Sequence, residues 1–243
     1  MGINDFRFCL FFESMKKRKI AAIVNLIQGF PMKIALLGAS GYIGSALRSE
    51  ALSRGHALTA LVGRPERVDA ASGLTVHRAD ALDSASLARL LEGHEALISA
   101  FSGHAQSDVR GYYGRGFASI LAAVKAAKVP RLLMVGGAGS LEVAPGVQVL
   151  DSPDFPAEWR GSAEGARDAL GVLRGETEID WTMLSPAAHI VPGERTGRFR
   201  LGGDQLLMDA QGESRISLAD YAIAMLDELE RPRHSRRRFT VAY

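Results

Sequence analysis

Hydrophobic and polar positions alternate with two periodicities from Met32 onward. Short apolar runs predict strands at residues 33–37, 57–62, 74–78, 96–100, 131–135 and 180–184. Amphipathic segments between them predict helices at about 42–54, 84–92, 108–128 and 157–174. Because a parallel crossover needs a connection of helix length, this alternation indicates a parallel sheet covered on both faces. The pattern therefore predicts an α/β fold with a doubly wound parallel sheet.

The C-terminal part of the chain departs from the regular alternation of strand and helix patterns. The segment GRFRLGGDQLLMDAQGES has two short strand-like runs around Gly202 and Gly203, followed by a predicted helix at about 217–230 and a last strand, RFTVAY. We find neither an internal repeat nor a low-complexity linker in the sequence. Residues 32–243 are therefore predicted to form one domain with a small C-terminal lobe.

The first 31 residues differ from the rest. The basic run MKKRK precedes the apolar run IAAIVNLIQGF, which is the order of a secretory signal, but no small-residue cleavage site follows and the run is too short for a membrane span. Three interpretations stay open: a signal or anchor, an amphipathic helix lying on the domain, and a non-native or disordered extension before a functional start at Met32. We expect the last.

Composition narrows the class of protein. The 243 residues are 47% hydrophobic with a formal net charge of +2, which indicates a soluble globular protein, and the Lys and Arg residues are too scattered for a nucleic-acid binder. The single cysteine, Cys9, excludes an intrachain disulfide, and the histidines lack metal-ligand spacing. We therefore expect a cytoplasmic protein without a metal, a nucleic-acid partner or a membrane partner.

The segment LLGASGYIGSAL has three glycines at a regular spacing between a strand and a helix: Gly38, Gly41 and Gly44. The first allows a tight turn, the second lets the backbone approach a pyrophosphate, and the third lets helix and strand pack closely. The positive end of the helix would offer phosphate oxygens the amides of Ser40, Tyr42 and Ile43. A tight turn without a ligand has the same composition, but the strand and helix context favours a dinucleotide-binding Rossmann loop.

The second predicted strand ends in LVGRPER, with no acid at its tip. An acid there would bind the ribose of NAD, whereas the guanidinium of Arg64, assisted by Arg67, suits the 2′-phosphate of NADP. The alternative is a solvated surface arginine; we expect NADP, with NADPH preferred over NADH. Asp80 and Ala81 are placed beside the adenine, with a simple turn as the alternative for Asp80, and Asp83 is expected to cap the next helix.

Four segments carry a family resemblance: GASGYIG, RLLMVGGAGSLEV, DWTMLSPAAHIVPGERTGRFRLGGDQLL and GESRISLADYAIAMLDELERPRHSRRRFTV. On these, the chain from Met32 to Tyr243 resembles the atypical short-chain dehydrogenase/reductase group of NAD(P)H-binding proteins. That group includes NADPH-dependent flavin reductases and biliverdin-IXβ reductase, and the likeness is greatest to its bacterial NADH-flavin reductase-like branch. The first segment is common to many nucleotide-binding families, whereas the last two are more specific to this branch.

The resemblance implies further cofactor contacts at three strand ends, where open sheets place their ligands. Ala100 and Phe101 would lie against the nicotinamide-side ribose. Gly136 and Gly137 would let the backbone pass close to the nicotinamide ring, although plain turns explain these glycines equally well. Pro186 to His189 would border the nicotinamide amide and the substrate cleft.

The helix that carries the Tyr and Lys proton-handling pair in typical short-chain dehydrogenases reads PAEWRGSAEGARDAL here. Trp159 and Ala163 stand at the spacing of that pair, which excludes alcohol or ketone chemistry by it. Hydride transfer to a flavin needs less from the protein. Our first hypothesis is therefore an NADPH-dependent reductase of FMN, FAD, riboflavin or a similar planar conjugated acceptor. Ser140 and His189 are the candidate catalytic residues, as orienting donors, with a structural hydrogen bond as the alternative for each.

Two other functions stay open. A redox sensor that binds NADP(H) without turnover and regulates a protein partner would also lack the Tyr and Lys pair. An epimerase-like or dehydratase-like enzyme acting on nucleotide sugars is disfavoured by the missing pair. The protein is expected to act as a monomer or homodimer. An arginine-dense segment near the C-terminus is interpreted as a solvated connection; its arginines are Arg231, Arg233, Arg236, Arg237 and Arg238.

Overall fold

Apolar runs form strands, and amphipathic segments form helices, in the computed structural model, which describes residues 31–103 and 106–243. The strands are β1 (Lys33–Leu37), β2 (Ala57–Val62), β3 (Leu74–Arg78), β4 (Ala96–Ser99), β5 (Arg131–Val135), β6 (Glu142–Ala144), β7 (Val147–Gln148), β8 (Asp180–Ser185), β9 (His189–Val191), β10 (Arg200–Gly202), β11 (Arg215–Ser217) and β12 (Arg237–Ala242). The helices are α1 (Tyr42–Ser53), α2 (Ser84–Leu91), α3 (Val109–Ala126), α4 (Ala157–Arg174) and α5 (Leu218–Glu230). The extension predicted at 1–31 lies outside the described residues except for Pro31.

Eight strands form one sheet in the order β10-β12-β8-β5-β4-β1-β2-β3. Every neighbouring pair is parallel except β10 and β12, which are antiparallel. The predicted doubly wound parallel sheet is therefore confirmed, and the C-terminal segment contributes β10 and β12 to it. None of the helices within the described ranges is long and apolar enough to cross a membrane.

Each central strand sends alternate side chains into two separate apolar layers, because successive residues of a strand point to opposite faces. Ile34 and Leu36 of β1 pack in the layer that holds α1 and α5. Ala35 and Leu37 pack in the layer that holds α2, α3 and α4. The strands are buried on both faces, which is why they appear in the sequence as continuous apolar runs.

The structure differs from the predicted elements at the C-terminal side of the sheet. Of the two strand-like runs around Gly202, only the first forms a strand, β10. The second run pairs with Glu142 instead: the Glu142 N–H donates to the carbonyl oxygen of Asp204, the Leu206 N–H donates to the carbonyl oxygen of Glu142, and Gln205 forms an isolated bridge with Glu142. Two small pairs, the β6–β7 hairpin and the parallel β9–β11 pair, were not predicted.

The order of the strands determines where a ligand binds. From β1 the chain adds β2 and β3 on one side and β4, β5 and β8 on the other. The loops that follow β1 and β4 therefore separate at the carboxyl edge of the sheet, and a crevice opens there between them. The glycine-rich segment lies at this point.

Candidate cofactor-binding site

The first glycine of the loop brings the ends of β1 and β4 into backbone contact. Gly38 has a φ of 81°, in the left-handed region, and a Cβ there would lie 2.7 Å from the carbonyl oxygen of Ala100. The backbone nitrogen of Phe101 lies 3.5 Å from the same point. Glycine is therefore required at this position both by its conformation and by space. The predicted cofactor residues Ala100 and Phe101 lie with their backbone against the loop.

The third glycine brings the first turn of α1 onto the loop. A Cβ on Gly44 would lie only 2.0 Å from the carbonyl oxygen of Gly38, so any side chain there would displace the helix. Gly41 is the N-cap of α1, with φ −78° and ψ 175°, and no side chain caps the helix. The first turn also lacks an acidic residue. The amide end of α1, beside the exposed Ser40 and Tyr42, thus suits an anion such as a pyrophosphate.

Arg64 and Arg67 lie at the carboxyl end of β2, where Arg64 is the N-cap of a short 3₁₀ turn at Pro65–Arg67. Both residues are exposed. Within residues 31–103 and 106–243, neither guanidinium has an ion-pair partner. Two exposed guanidinium groups therefore follow the carboxyl end of β2.

The residues after β3 separate into a turn and a helix cap. The carboxylate of Asp80 accepts a hydrogen bond from the Leu82 N–H at 2.9 Å, which forms a local turn, and Ala81 is buried. The carboxylate of Asp83 accepts from the Ser86 N–H at 2.9 Å at the start of α2. The prediction that Asp83 caps this helix is confirmed.

The Phe101 ring is held by α3. Its centroid lies 5.5 Å from that of Tyr112 and 5.8 Å from that of Tyr113. A Cβ on Gly116 would lie 2.3 Å from the Phe101 ring, so the ring fills the space that this glycine leaves. The side chain therefore fixes the end of β4 to α3.

The two glycines after β5 have different surroundings. A Cβ on Gly136 would lie 2.8 Å from Cγ of Met183 and 3.0 Å from Oγ of Ser185, so the backbone there passes close to β8. A Cβ on Gly137 would make only an ordinary contact, at 3.5 Å, with Ala166. Of these two positions, steric crowding by the protein therefore requires glycine at 136 and not at 137.

The candidate catalytic residues occupy different environments. Ser140 is buried, and its Oγ accepts a hydrogen bond from Nη1 of Arg238 at 3.3 Å. His189 is exposed at the start of β9, and its backbone N–H donates to the carbonyl oxygen of Ser214. No hydrogen bond between described residues joins the two side chains. Pro186, which precedes His189, is buried.

Sequence reasoning missed Arg238, which is not part of a solvated connection. Its side chain is 2% exposed, and its Nε donates to Oδ1 of Asp204 at 2.6 Å. Burial lowers the pKa of Arg238, and the Asp204 carboxylate opposes this effect. The available signal was strand periodicity, since Arg238 alternates with the buried Phe239 in β12 and so points to the opposite, helix-covered face.

Sequence reasoning also missed the anchor of the loop at residues 192–198, which follows the segment expected to border the substrate cleft. Asp220 is fully buried and accepts hydrogen bonds from the N–H groups of Thr196 and Gly197, each at 2.8 Å, and from the Tyr243 hydroxyl. Burial alone would raise the pKa of Asp220, but these hydrogen bonds and that of the Thr196 hydroxyl outweigh it and lower the pKa. The carboxylate is thus ionised, and it fixes the loop to α5.

Comparisons with known proteins agree with this geometry. Residues 38–229 match the family model described as NAD(P)H-binding. The uncharacterized protein YwnB of Bacillus subtilis (strain 168) is 41% identical over 214 residues, which is 86% of this chain and 98% of YwnB. The structure of a proposed epimerase from Bacteroides thetaiotaomicron is 43% identical with a TM-score of 0.82, covering 88% of this chain and 97% of that one. A proposed NADH-flavin reductase from Streptococcus pneumoniae TIGR4 is 33% identical with a TM-score of 0.76, covering 87% and 99%.

Proposed function

Because the chain belongs to the NAD(P)H-binding family, within the atypical short-chain dehydrogenase group with its flavin reductase-like members, we propose that it is an NADPH-dependent reductase. Its acceptor is a flavin or a similar planar conjugated compound. The observation that carries the proposal is the crevice at the carboxyl edge of the sheet. Gly38 and Ala100 are in backbone contact there, and helix α1 begins there without a side-chain cap. We propose further that the protein acts in the cytoplasm, as a monomer or homodimer.

The cofactor preference rests on the end of β2. Arg64 and Arg67 offer exposed guanidinium groups, and no acid stands at the strand tip to bind a free ribose hydroxyl. A charge-assisted contact between Arg64 and the 2′-phosphate contributes about 2 kcal/mol, which corresponds to roughly thirtyfold in affinity. NADPH is therefore the proposed donor.

The acceptor class rests on α4. Ala163 is 8% exposed and packs against Gly139, where a Cβ would lie 2.8 Å from that of Ala163, so an alanine methyl stands at the position of the usual lysine. Trp159, one helical turn earlier, is 53% exposed, and its indole N–H does not act as an acid that protonates a forming alcohol oxygen. Reduction of a ketone needs a proton donor there, whereas a flavin ring takes its proton from solvent. This arrangement supports a conjugated acceptor over a sugar or an alcohol.

When bound, NADPH supplies the hydride. The chain itself binds the pyrophosphate at the Tyr42 and Ile43 amides and positions the reactive end beside Gly136. Because Oγ of Ser140 accepts a hydrogen bond from Arg238, its own proton is free to donate to a bound group. His189, exposed at the start of β9, is the second proposed orienting donor.

The test is the rate of NADPH consumption at 340 nm by the full chain with FMN, riboflavin and a quinone. Arg64→Ala is compared with Arg89→Ala, which removes an exposed arginine from α2, away from the strand tip. We expect turnover that prefers NADPH over NADH, loss of the preference in Arg64→Ala, and no change in Arg89→Ala. Absence of oxidation with every acceptor would refute the reductase, and tight NADPH binding in that case would favour a redox sensor.

A further inference from the structure

A cavity of about 380 Å³ lies on the side of the sheet away from the glycine loop. Trp181 stands near the start of β8, Arg237 and Arg238 begin β12, and Arg174 ends α4. Because the strands are parallel, their amino ends lie at the edge opposite to the crevice. The residues that define the cavity, here called the arginine pocket, are Arg174, Trp181, Asp204, Arg236, Arg237 and Arg238.

Positive charge is in excess in the arginine pocket. Its four arginines face a single lining carboxylate, Asp204, which already binds Arg174 at 3.0 Å and also binds Arg238. His234 also lines the cavity, with its Nδ1 bound to Glu228 at 2.8 Å. Across the described ranges, the exposed side chains of Arg236 and Arg237 have no ion-pair partner. Two guanidinium groups therefore remain for a ligand.

Trp181 lines the arginine pocket and also belongs to the apolar core beneath it. Trp181 is 1% exposed, and its indole nitrogen is fully buried without a hydrogen-bond acceptor among the described residues. An indole N–H can only donate, and a buried donor without an acceptor is rare in folded proteins because leaving it unpaired costs free energy. Because that nitrogen has no accessible surface, the indole is a buried reporter beside the cavity and not a ligand contact.

The lining groups specify the chemistry of the ligand. Guanidinium groups are donors without acceptor capacity. A ligand that satisfies them must offer several acceptor oxygens and negative charge, and arginine forks match the oxygens of a phosphate. The cavity also has the size of a site for a small molecule. We infer that the arginine pocket binds a phosphate group, as inorganic phosphate or as part of a small phosphomonoester.

The test uses Trp181 as the reporter. In a Trp159→Phe background of the full chain, Trp181 is the sole tryptophan, since the protein has two. Its fluorescence is titrated with sodium phosphate and with glycerol 2-phosphate, with ionic strength held constant by chloride. We expect a saturable change with at least one probe, and calorimetry on the unaltered chain detects binding that leaves the fluorescence unchanged. A response to both indicates a site for a phosphate group, and a response to the ester alone indicates a site for a larger ligand.

Two matched variants separate the pocket from general surface charge. Arg236→Asn removes one free guanidinium and tolerates the left-handed φ of 53° at that position. Arg233→Gln removes the same charge from the same segment, at a residue that does not line the cavity. We expect at least tenfold weaker binding in the first and less than twofold change in the second. No saturable binding by either method, or equal weakening in both variants, would overturn the inference.

Discussion

The two edges of the sheet are built in different ways. At the carboxyl edge, the crevice depends on backbone approach within one short segment, since Gly38 and Gly44 are both placed where a side chain would collide with a carbonyl oxygen. At the amino edge, the arginine pocket gathers side chains from α4, β8 and β12, which are far apart in the chain. A ligand site made of backbone is encoded locally, whereas one made of side chains depends on the whole fold.

The largest effect is expected when the backbone contact at the carboxyl edge is broken. Gly44→Ala places a Cβ 2.0 Å from the Gly38 carbonyl oxygen, and we expect a loss of about 3 kcal/mol in the free energy of unfolding together with loss of NADPH binding. Gly171→Ala, in α4 with nothing within 4 Å, is the matched control and should gain about 0.5–1 kcal/mol. Urea denaturation measures both, and equal stability of the two variants would contradict the backbone account.

The next effect concerns an anchor made of side chains. Asp220→Asn keeps one acceptor oxygen for the N–H groups of Thr196 and Gly197 but places a donor where the other oxygen accepts from the Thr196 and Tyr243 hydroxyls, and we expect a loss of about 2–3 kcal/mol at pH 7. Because the pKa of Asp220 is lower in the folded state than its usual 3.8, its contribution is complete above that value and is lost as the pH falls through the lower folded pKa. The difference between variant and wild type should therefore shrink below about pH 4. A constant difference down to pH 2 would exclude this role.

A smaller effect should distinguish the two glycines after β5. Gly136→Ala meets the side chains of Met183 and Ser185, and because the methionine can shift we expect a loss of about 1–2 kcal/mol. Gly137→Ala makes only an ordinary contact and should change the stability by less than about 0.5 kcal/mol. Thermal unfolding of both variants measures the difference, and the reverse order would show that crowding does not select these glycines.

The smallest effect is expected at the second attachment of the 192–198 loop. Arg195 is 59% exposed and contacts the buried carboxylate of Glu50 at 2.8 Å, but Arg54 contacts the same carboxylate at 2.8 Å. Arg195→Gln leaves Glu50 paired, so we expect a loss of about 0.5–1 kcal/mol in unfolding experiments. A loss as large as that of Asp220→Asn would mean that the loop depends on both anchors equally.

The same contrast explains what the sequence predicted. Continuous apolar runs indicated β1, β2, β3 and β5 at their observed bounds, and local spacing identified the glycine loop and the Asp83 cap. These features are visible because period and turn chemistry act within a few residues. Arg238 and Asp220 were missed because their partners are distant, Asp204 for the first and Thr196 for the second. The β9–β11 pair was missed for the same reason.

The most direct test of the central claim is the ratio of the dissociation constants for NADPH and NADH. It is measured by cofactor fluorescence with the full chain, the Arg64→Ala variant and the Arg89→Ala control. The account predicts that the wild type and the control bind NADPH at least tenfold more tightly than NADH, and that Arg64→Ala binds the two almost equally. Equal affinities in the wild type, or a preference that survives in Arg64→Ala, would contradict it.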